Sequence, residues 1–200
     1  MPQVKETNTA VDEGGLSAAG QMGPYLLKVP EGTDDSDRIG RRVEFFALHS
    51  ELTYHIPAST TPALWDNVAV VREIFFIDHQ CNGAQPATTD LLEDEPGLTS
   101  TLHSGYNSDN KDRFTIISDR FFKVQAAVGS STWMQTGLTH KSLKQHINVL
   151  TTYSGSTGLL NTVRDNNILV AWWIWSESSG GTFADVHVTG NVRLYYYDGL

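Results

Sequence analysis

The sequence predicts an all-β chain folded as a two-sheet antiparallel sandwich of about eight strands, with a jelly roll preferred to an immunoglobulin-like arrangement. Three observations lead there. From Arg42 to Asp198 one β run follows another with almost no helical periodicity between them. The runs are separated by turns and one long polar loop. The last run alternates most clearly. Ala184, Val186, Val188, Gly190, Val192, Leu194 and Tyr196 take one parity, and Asp185, His187, Thr189, Asn191, Arg193 and Tyr197 the other, with Tyr195 the large exception. A period of two held that long demands a strand with one buried face.

The elements follow in order. Residues Met1–Met22 are rich in Gly, Ser, Thr, Ala and acids. Such a stretch buries too little surface to offset its ordering entropy. Residues 1–31 are therefore read as a flexible arm with a short edge strand at Tyr25–Val29, and residues 32–200 as the folded domain. The Gly/Asp-rich turn Gly32–Gly40 leads into the first long strand, Arg42 to about Ile56. Phe46, Leu48, Leu52, Tyr54 and Ile56 share one of its faces, with Glu44 of the same parity at its start. Pro57 and Pro62 end it, because proline cannot donate to a ladder. Asn67–His79 is apolar on both parities, which suits a central strand or one covered by another layer. Cys81–Lys111 is polar and irregular apart from a helical turn at Thr88–Glu93, and loops of that length are usually functional. Arg113–Ser118 and Phe121–Val128 form a hairpin or one bulged strand. Lys141–Tyr153 sets Leu143, Ile147 and Val149 against Lys144, His146 and Asn148, and Asn166–Glu177 carries the apolar Ile168–Trp175 stretch.

Composition narrows the function. The chain has 200 residues, 40% of them hydrophobic and 10% aromatic, ample for a core. Its net charge of −9 gives an acidic body that as a whole does not attract nucleic acid. Cys81 is the single cysteine, so no intrachain disulfide forms. No run approaches the roughly 20 apolar residues of a membrane span, and no signal-peptide layout opens the chain, so a soluble protein without membrane insertion is expected.

No GxSxG, glycine-rich phosphate loop, HExxH or paired cysteine occurs, and nothing supports an enzyme. The seven histidines are scattered, and His49, His55 and His187 are read as ordinary polar-face residues in preference to a metal or acid–base cluster. Acidic clusters at Asp34, Asp35 and Asp37, at Glu93, Asp94 and Glu95, and at Asp109 and Asp112 lie in predicted loops. Calcium takes 6–8 oxygens, and no cluster has the spacing of a calcium loop, so solvated charge is the preferred reading. A site shared between subunits stays open at Asp109 and Asp112 or at Glu93, Asp94 and Glu95. Trp172, Trp173 and Trp175 with Tyr195, Tyr196 and Tyr197 are assigned to core or subunit interface ahead of a stacking platform for sugars or bases. Basic residues group at Arg38, Arg41 and Arg42, at Lys111, Arg113, Arg120 and Lys123, and at Lys141 and Lys144. Each group could neutralise phosphates without reading sequence, or guard a strand edge.

The segment Ser36-Asp37-Arg38-Ile39-Gly40-Arg41-Arg42-Val43 resembles the approach to the first sandwich strand in capsid proteins of small circular single-stranded DNA viruses that encode a replication initiator. The likeness continues through Val71-Arg72-Glu73-Ile74-Phe75-Phe76-Ile77-Asp78-His79-Gln80, Asn82-Gly83, Pro86 and Asp90-Leu91-Leu92. It runs on through Arg113-Phe114-Thr115-Ile116-Ile117-Ser118-Asp119 to the aromatic last strand, about residues 32–198 in all. This circovirus-like resemblance implies the viral single jelly roll of tombusvirus-type and satellite shells. It implies a coat protein of about sixty copies in a T=1-type shell around circular single-stranded DNA, located in the virion and assembled in the host cell, the nucleus included. Capsids of that family begin with an arginine-rich arm, whereas residues 1–31 carry only Lys5 and Lys28. Contact with the genome is therefore assigned to Arg38, Arg41, Arg42, Lys123 and Lys144. The Cys81–Lys111 loop and the loop around Thr132–His140 would decorate the outside or clamp neighbours, with calcium at interfaces if acidic clusters meet there. The competing reading is a carbohydrate-binding jelly-roll module with the tryptophans as its platform. A cupin-like enzyme, with histidines and a carboxylate converging inside the barrel, ranks third for want of closely spaced histidines.

Overall fold

The computed structural model describes residues 3–34, 36–56, 68–81, 83–93, 101–125, 138–176 and 186–198. It contains β1 (Val4–Glu13), β2 (Gln21–Met22), β3 (Arg42–His55), β4 (Val68–Asp78), α1 (Thr88–Leu91), β5 (Phe114–Gln125), β6 (Leu138–Thr152), β7 (Asn167–Ser176) and β8 (His187–Asp198). Sheet I has the order β1-β8-β3-β6 and sheet II the order β2-β7-β4-β5, with antiparallel pairing throughout. Consecutive strands change sheet at every step except β4 to β5. That winding, with the last strand returning to pair with the first, is a jelly roll.

The start of the chain departs from expectation. Residues 4–13, read as part of a flexible arm, form β1 and pair with β8 from Val4↔Tyr197 to Glu13↔Val188. Its inward positions are Lys5, Thr7, Thr9 and Val11, all buried. The Lys5 ammonium lies 3.2 Å from Asp198, and the Thr7 and Thr9 hydroxyls donate to the carbonyls of Lys28 and Leu26. Polar side chains with fixed partners can occupy a buried face, and composition alone does not reveal this. The strand expected at Tyr25–Val29 is instead an irregular segment that buries Leu26, Leu27 and Val29, and the two-residue β2 lies just before it. The Arg42 run is consequently the third strand, not the first.

Two bulges account for the other differences. A register shift between Phe45 and Ala47 reverses the parity of β3. Val43 and Phe45 are buried before it and Leu48, Leu52 and Tyr54 after it, so Phe46 points outward. A second shift, opposite Phe75 and Phe76, shows that the two short runs around Asp119 are a single bulged strand, β5. Close packing of β8 on β3 needs Gly190, whose φ is +149° and whose added Cβ would stand 2.1 Å from the Glu51 carbonyl oxygen.

Between the sheets lies the main core, which includes Leu48, Leu52, Phe75, Trp172, Leu194 and Tyr196. A charged residue sits within it. Register places Arg120, Glu73 and Trp172 in one row across β5, β4 and β7. The fully buried Glu73 carboxylate accepts from Arg120 through one oxygen and from the Tyr54 hydroxyl of sheet I through the other. Trp172 Nε1 donates to that hydroxyl at 2.8 Å, and Arg120 Nη1 donates to the Ser142 carbonyl of β6 at 2.7 Å. Burial first, and then the Glu73 charge, hold the Tyr54 hydroxyl far above the usual phenol range, so it remains a donor.

Removing one partner of a buried ion pair leaves the other unsatisfied. Glu73→Ala should lower unfolding stability by about 3–5 kcal/mol. Tyr54→Phe, which orphans the indole N–H and one carboxylate oxygen, should cost about 1–3 kcal/mol. Urea titration followed by tryptophan fluorescence reads both, and equal stability of Glu73→Ala and the parent would show the network to be dispensable.

Candidate functional site

The outer face of sheet II is covered by its own long loop. Ile74, Phe76, Leu169, Ala171 and Trp173 pack there against Leu91, Leu92 and Leu102. Two arginines fasten the loop. Arg72 grips both oxygens of Asp119 at 3.0 and 2.8 Å and donates to the carbonyls of Leu102 and Ser104 at 3.0 and 2.8 Å. Arg113 grips both oxygens of Asp78 at 2.9 Å and reaches Asp90 at 3.4 Å. Bidentate pairs of this kind are among the stronger charge-assisted contacts. The Tyr106 hydroxyl donates to Asp119 at 2.6 Å, and burial, followed by that hydrogen bond, pushes its pKa up to about 12. Thr88–Leu91 supplies the helical turn anticipated in this loop.

The residues assigned to genome contact do not converge. Arg38 is fully buried, stacks over Tyr153 at 4.6 Å, and donates to the carbonyls of Val29, Gly40 and Gly155, with Glu31 at 3.5 Å. It ties loops together and cannot meet a phosphate; its partners, as far as 117 residues away, were invisible in sequence. Arg41 and Arg42 are exposed. Lys144 is exposed on the outer face of sheet I, whereas Lys123, opposite Val70, is exposed on the outer face of sheet II. Arg113 and Arg120, grouped with Lys123 by sequence, are committed to Asp78 and Glu73.

Of the acidic candidates, Asp109 and Asp112 are exposed and Glu93 is half-buried, accepting from the Ser108 N–H at 3.4 Å. Asp94, Glu95 and Asp35 lie outside the described residues, as do residues 132–137 of the second loop. Among the described residues no group of three or more His, Cys, Asp or Glu side chains could hold a metal, and no helix is long and apolar enough to cross a membrane.

The tryptophan platform does not exist as a surface. Trp172 and Trp173 are fully buried on opposite faces of β7, and Trp175 is half-buried against the same outer cluster as Trp173, so the three form no common platform for a sugar. Of the three tyrosines Tyr196 is core, while Tyr195 and Tyr197 face outward.

That outer face of sheet I is the surface the sequence did not assemble. Asn8, Arg193, His49 and Lys144 are successive partners in one row across β1, β8, β3 and β6. The next row brings Glu6, Tyr195 and His146 around the bulge at Phe46 and Ala47. Phe46 stacks on Tyr197 at 4.4 Å, and Tyr195 meets the His49 ring edge-on at 4.9 Å. Beyond the cationic row lie His140, 2.8 Å from Glu51, and the His55–His187 pair with ring centroids 5.4 Å apart. Strand parity marked His49, His55 and His187 as outward. Parity also set His146 on a polar face, and the β3–β6 register places it and His140 on the same face as these three.

No family model matches the chain, and no curated protein matches it. Solved structures give distant overlaps. One, from Desmodium yellow mottle tymovirus, has 10% identity, covers all of this chain and 84% of that one, and has a TM-score of 0.34. Another, VP1 of Trichodysplasia spinulosa-associated polyomavirus in complex with GM1 oligosaccharide, has 10% identity, covers 97% and 93%, and has a TM-score of 0.15. The fold assignment rests on the strand order, not on these overlaps.

Arg72→Ala strips Asp119 of its bidentate partner, leaving it the Tyr106 hydroxyl, and leaves the Leu102 and Ser104 carbonyls without this donor. It should cost about 1–3 kcal/mol and open residues 101–113 to limited proteolysis that spares the parent; an unchanged digest would refute the anchoring role. Cys81 provides a chemical probe of the same region. Burial, then the neighbouring Asp78 and Asp165 charges, push its thiol up to about 12. Because the thiolate is the reactive form, alkylation at mildly alkaline pH should be at least about a hundredfold slower in the folded chain than in urea.

Proposed function

We propose that this chain is a viral coat protein that self-assembles into a small closed shell, of T=1-type geometry with about sixty copies, around circular single-stranded DNA. The role is structural rather than catalytic, and its setting is the virion. The observation that carries the reading is the jelly-roll strand order, β1-β8-β3-β6 against β2-β7-β4-β5. The stretch over residues 32–198 that resembles capsids of circular single-stranded DNA viruses adds to it. The arginine-fastened loop gives a body with a firm outer layer, as subunit packing requires. Ile39 supplies contact area, since it is exposed beside Asp198, where β8 finishes. Calcium between subunits would draw on the exposed Asp109 and Asp112, and excess chelator at mildly alkaline pH should then loosen the particles.

Negative-stain microscopy of the purified chain should show uniform round particles, and the 260/280 nm absorbance ratio of the same sample reports packaged nucleic acid. Ile39, 69% exposed, offers a test that spares the core. Ile39→Asp should leave the circular dichroism spectrum unchanged and abolish particles. Monomers or dimers alone, across a range of salt and calcium, would overturn the coat-protein reading.

A further inference from the structure

The two outer faces of the sandwich are not alike. Sheet II is covered by its loop, while the outer face of sheet I presents exposed polar side chains from all four strands and half-buried aromatic ones from β3 and β8. Its fixed charges are Arg42, Lys144 and Arg193 against Glu6, Asp12, Glu44 and Glu51. Five imidazoles share the face: His49, His55, His140, His146 and His187. Imidazole is the ordinary side chain whose charge changes between about pH 5 and 8. The face is thus nearly balanced when the five are neutral and carries about four net positive charges when all are protonated.

The charges are also ordered. Arg193, His49 and Lys144 stand side by side on neighbouring strands, at the roughly 4.8 Å spacing of a sheet. Next to them the Phe46, Tyr195 and Tyr197 rings form an aromatic cluster bordered by Glu6 and Glu44. Aromatic rings beside a cationic track are how proteins hold unpaired bases and their backbone without reading sequence. When the imidazoles are neutral, the bordering carboxylates oppose a phosphate chain; when they are charged, the row outweighs them.

We propose that this face binds single-stranded nucleic acid in a proton-gated manner, bases stacking on Phe46, Tyr195 and Tyr197 and phosphates lying along Arg193, His49 and Lys144. The identity of the ligand rests on the coat-protein reading; the place and the gate rest on the sheet. Genome contact moves accordingly from Arg38 and Lys123 to a surface that Lys144 shares with Arg193.

Fluorescence anisotropy of a labelled oligothymidylate with the full chain, at about pH 5.5 and about pH 7.5 in low salt, tests it. Binding should be at least about tenfold tighter at the lower pH. His49→Gln/His146→Gln should shrink that ratio, while His103→Gln, which lies off the face, should leave it intact. Arg193→Ala/Lys144→Ala should weaken binding about tenfold or more at both values and flatten its salt dependence. All of these substitutions are at exposed or half-buried positions, and thermal unfolding checks that each variant folds. Equal affinity at the two pH values, duplex bound as tightly as single strand, or wild-type affinity in the Arg193/Lys144 variant would each overturn the proposal. Microscopy of the same samples keeps the two readings apart. Particles without gated binding remove this inference alone, and gated binding by a chain that never forms particles removes the coat-protein reading alone.

Discussion

Glu73 is ionisable, fully enclosed, and in the middle of the sandwich, and this burial constrains what packs around it. Taking a carboxylate out of water costs several kcal/mol unless its oxygens are met by charge and donors. Here both are met, and by residues from both sheets. Arg120 and Trp172 flank Glu73 within sheet II, while Tyr54 and the Ser142 carbonyl come from sheet I. The sheets therefore have one separation and one lateral offset at which this group is satisfied. Hydrophobic contact alone is non-directional and would tolerate sliding.

The same constraint fixes strand register. Arg72-Glu73, Asp119-Arg120 and Trp172-Trp173 are doublets whose members go to opposite faces. Inward, Glu73 stands opposite Arg120; outward, Arg72 reaches Asp119 and holds the loop. A slip of β5 by one residue would set Glu73 directly against Asp119, replacing an ion pair by like charges. It would also turn Arg120 out of the core and leave Arg72 without its carboxylate. Core and loop are thus locked by one register, and the covered face of sheet II is a consequence of it.

Much of this was legible in the sequence because it is written in apolar parity. The alternation of β6 and β8, the two-sided burial of β4 and the long loop between β4 and β5 all follow from local pattern. The first strand was not legible, because Lys5 takes its buried position through an ion pair with Asp198, and Thr7 and Thr9 theirs through hydrogen bonds to the Lys28 and Leu26 carbonyls, partners that local composition does not show. The roles of the arginines were hidden for the same reason. Asp119 is 47 residues from Arg72, and sequence offers no means of separating a committed guanidinium from a free one. The candidate nucleic-acid face needed both the β3–β6 and β3–β8 registers before Lys144, His49 and Arg193 became neighbours.

The bulge in β3 links fold to surface. With strict alternation from Val43, the inward set would be Val43, Phe45, Ala47 and His49, and Leu48, Leu52 and Tyr54 would face water. One extra residue relative to β8, at Phe46, lets Val43 and Phe45 stay buried and still turns Leu48 and Tyr54 inward. A bulge leaves its extra side chain outside the ladder, and here that side chain is a phenylalanine. It cannot return to the core, so it stacks on Tyr197 and lies 6.4 Å from Tyr195, both on the neighbouring strand. The aromatic cluster beside the cationic row is thus produced by the same defect that lets Tyr54 reach Glu73. Restoring regular pairing at Phe46 would disturb the outer face and the buried network together.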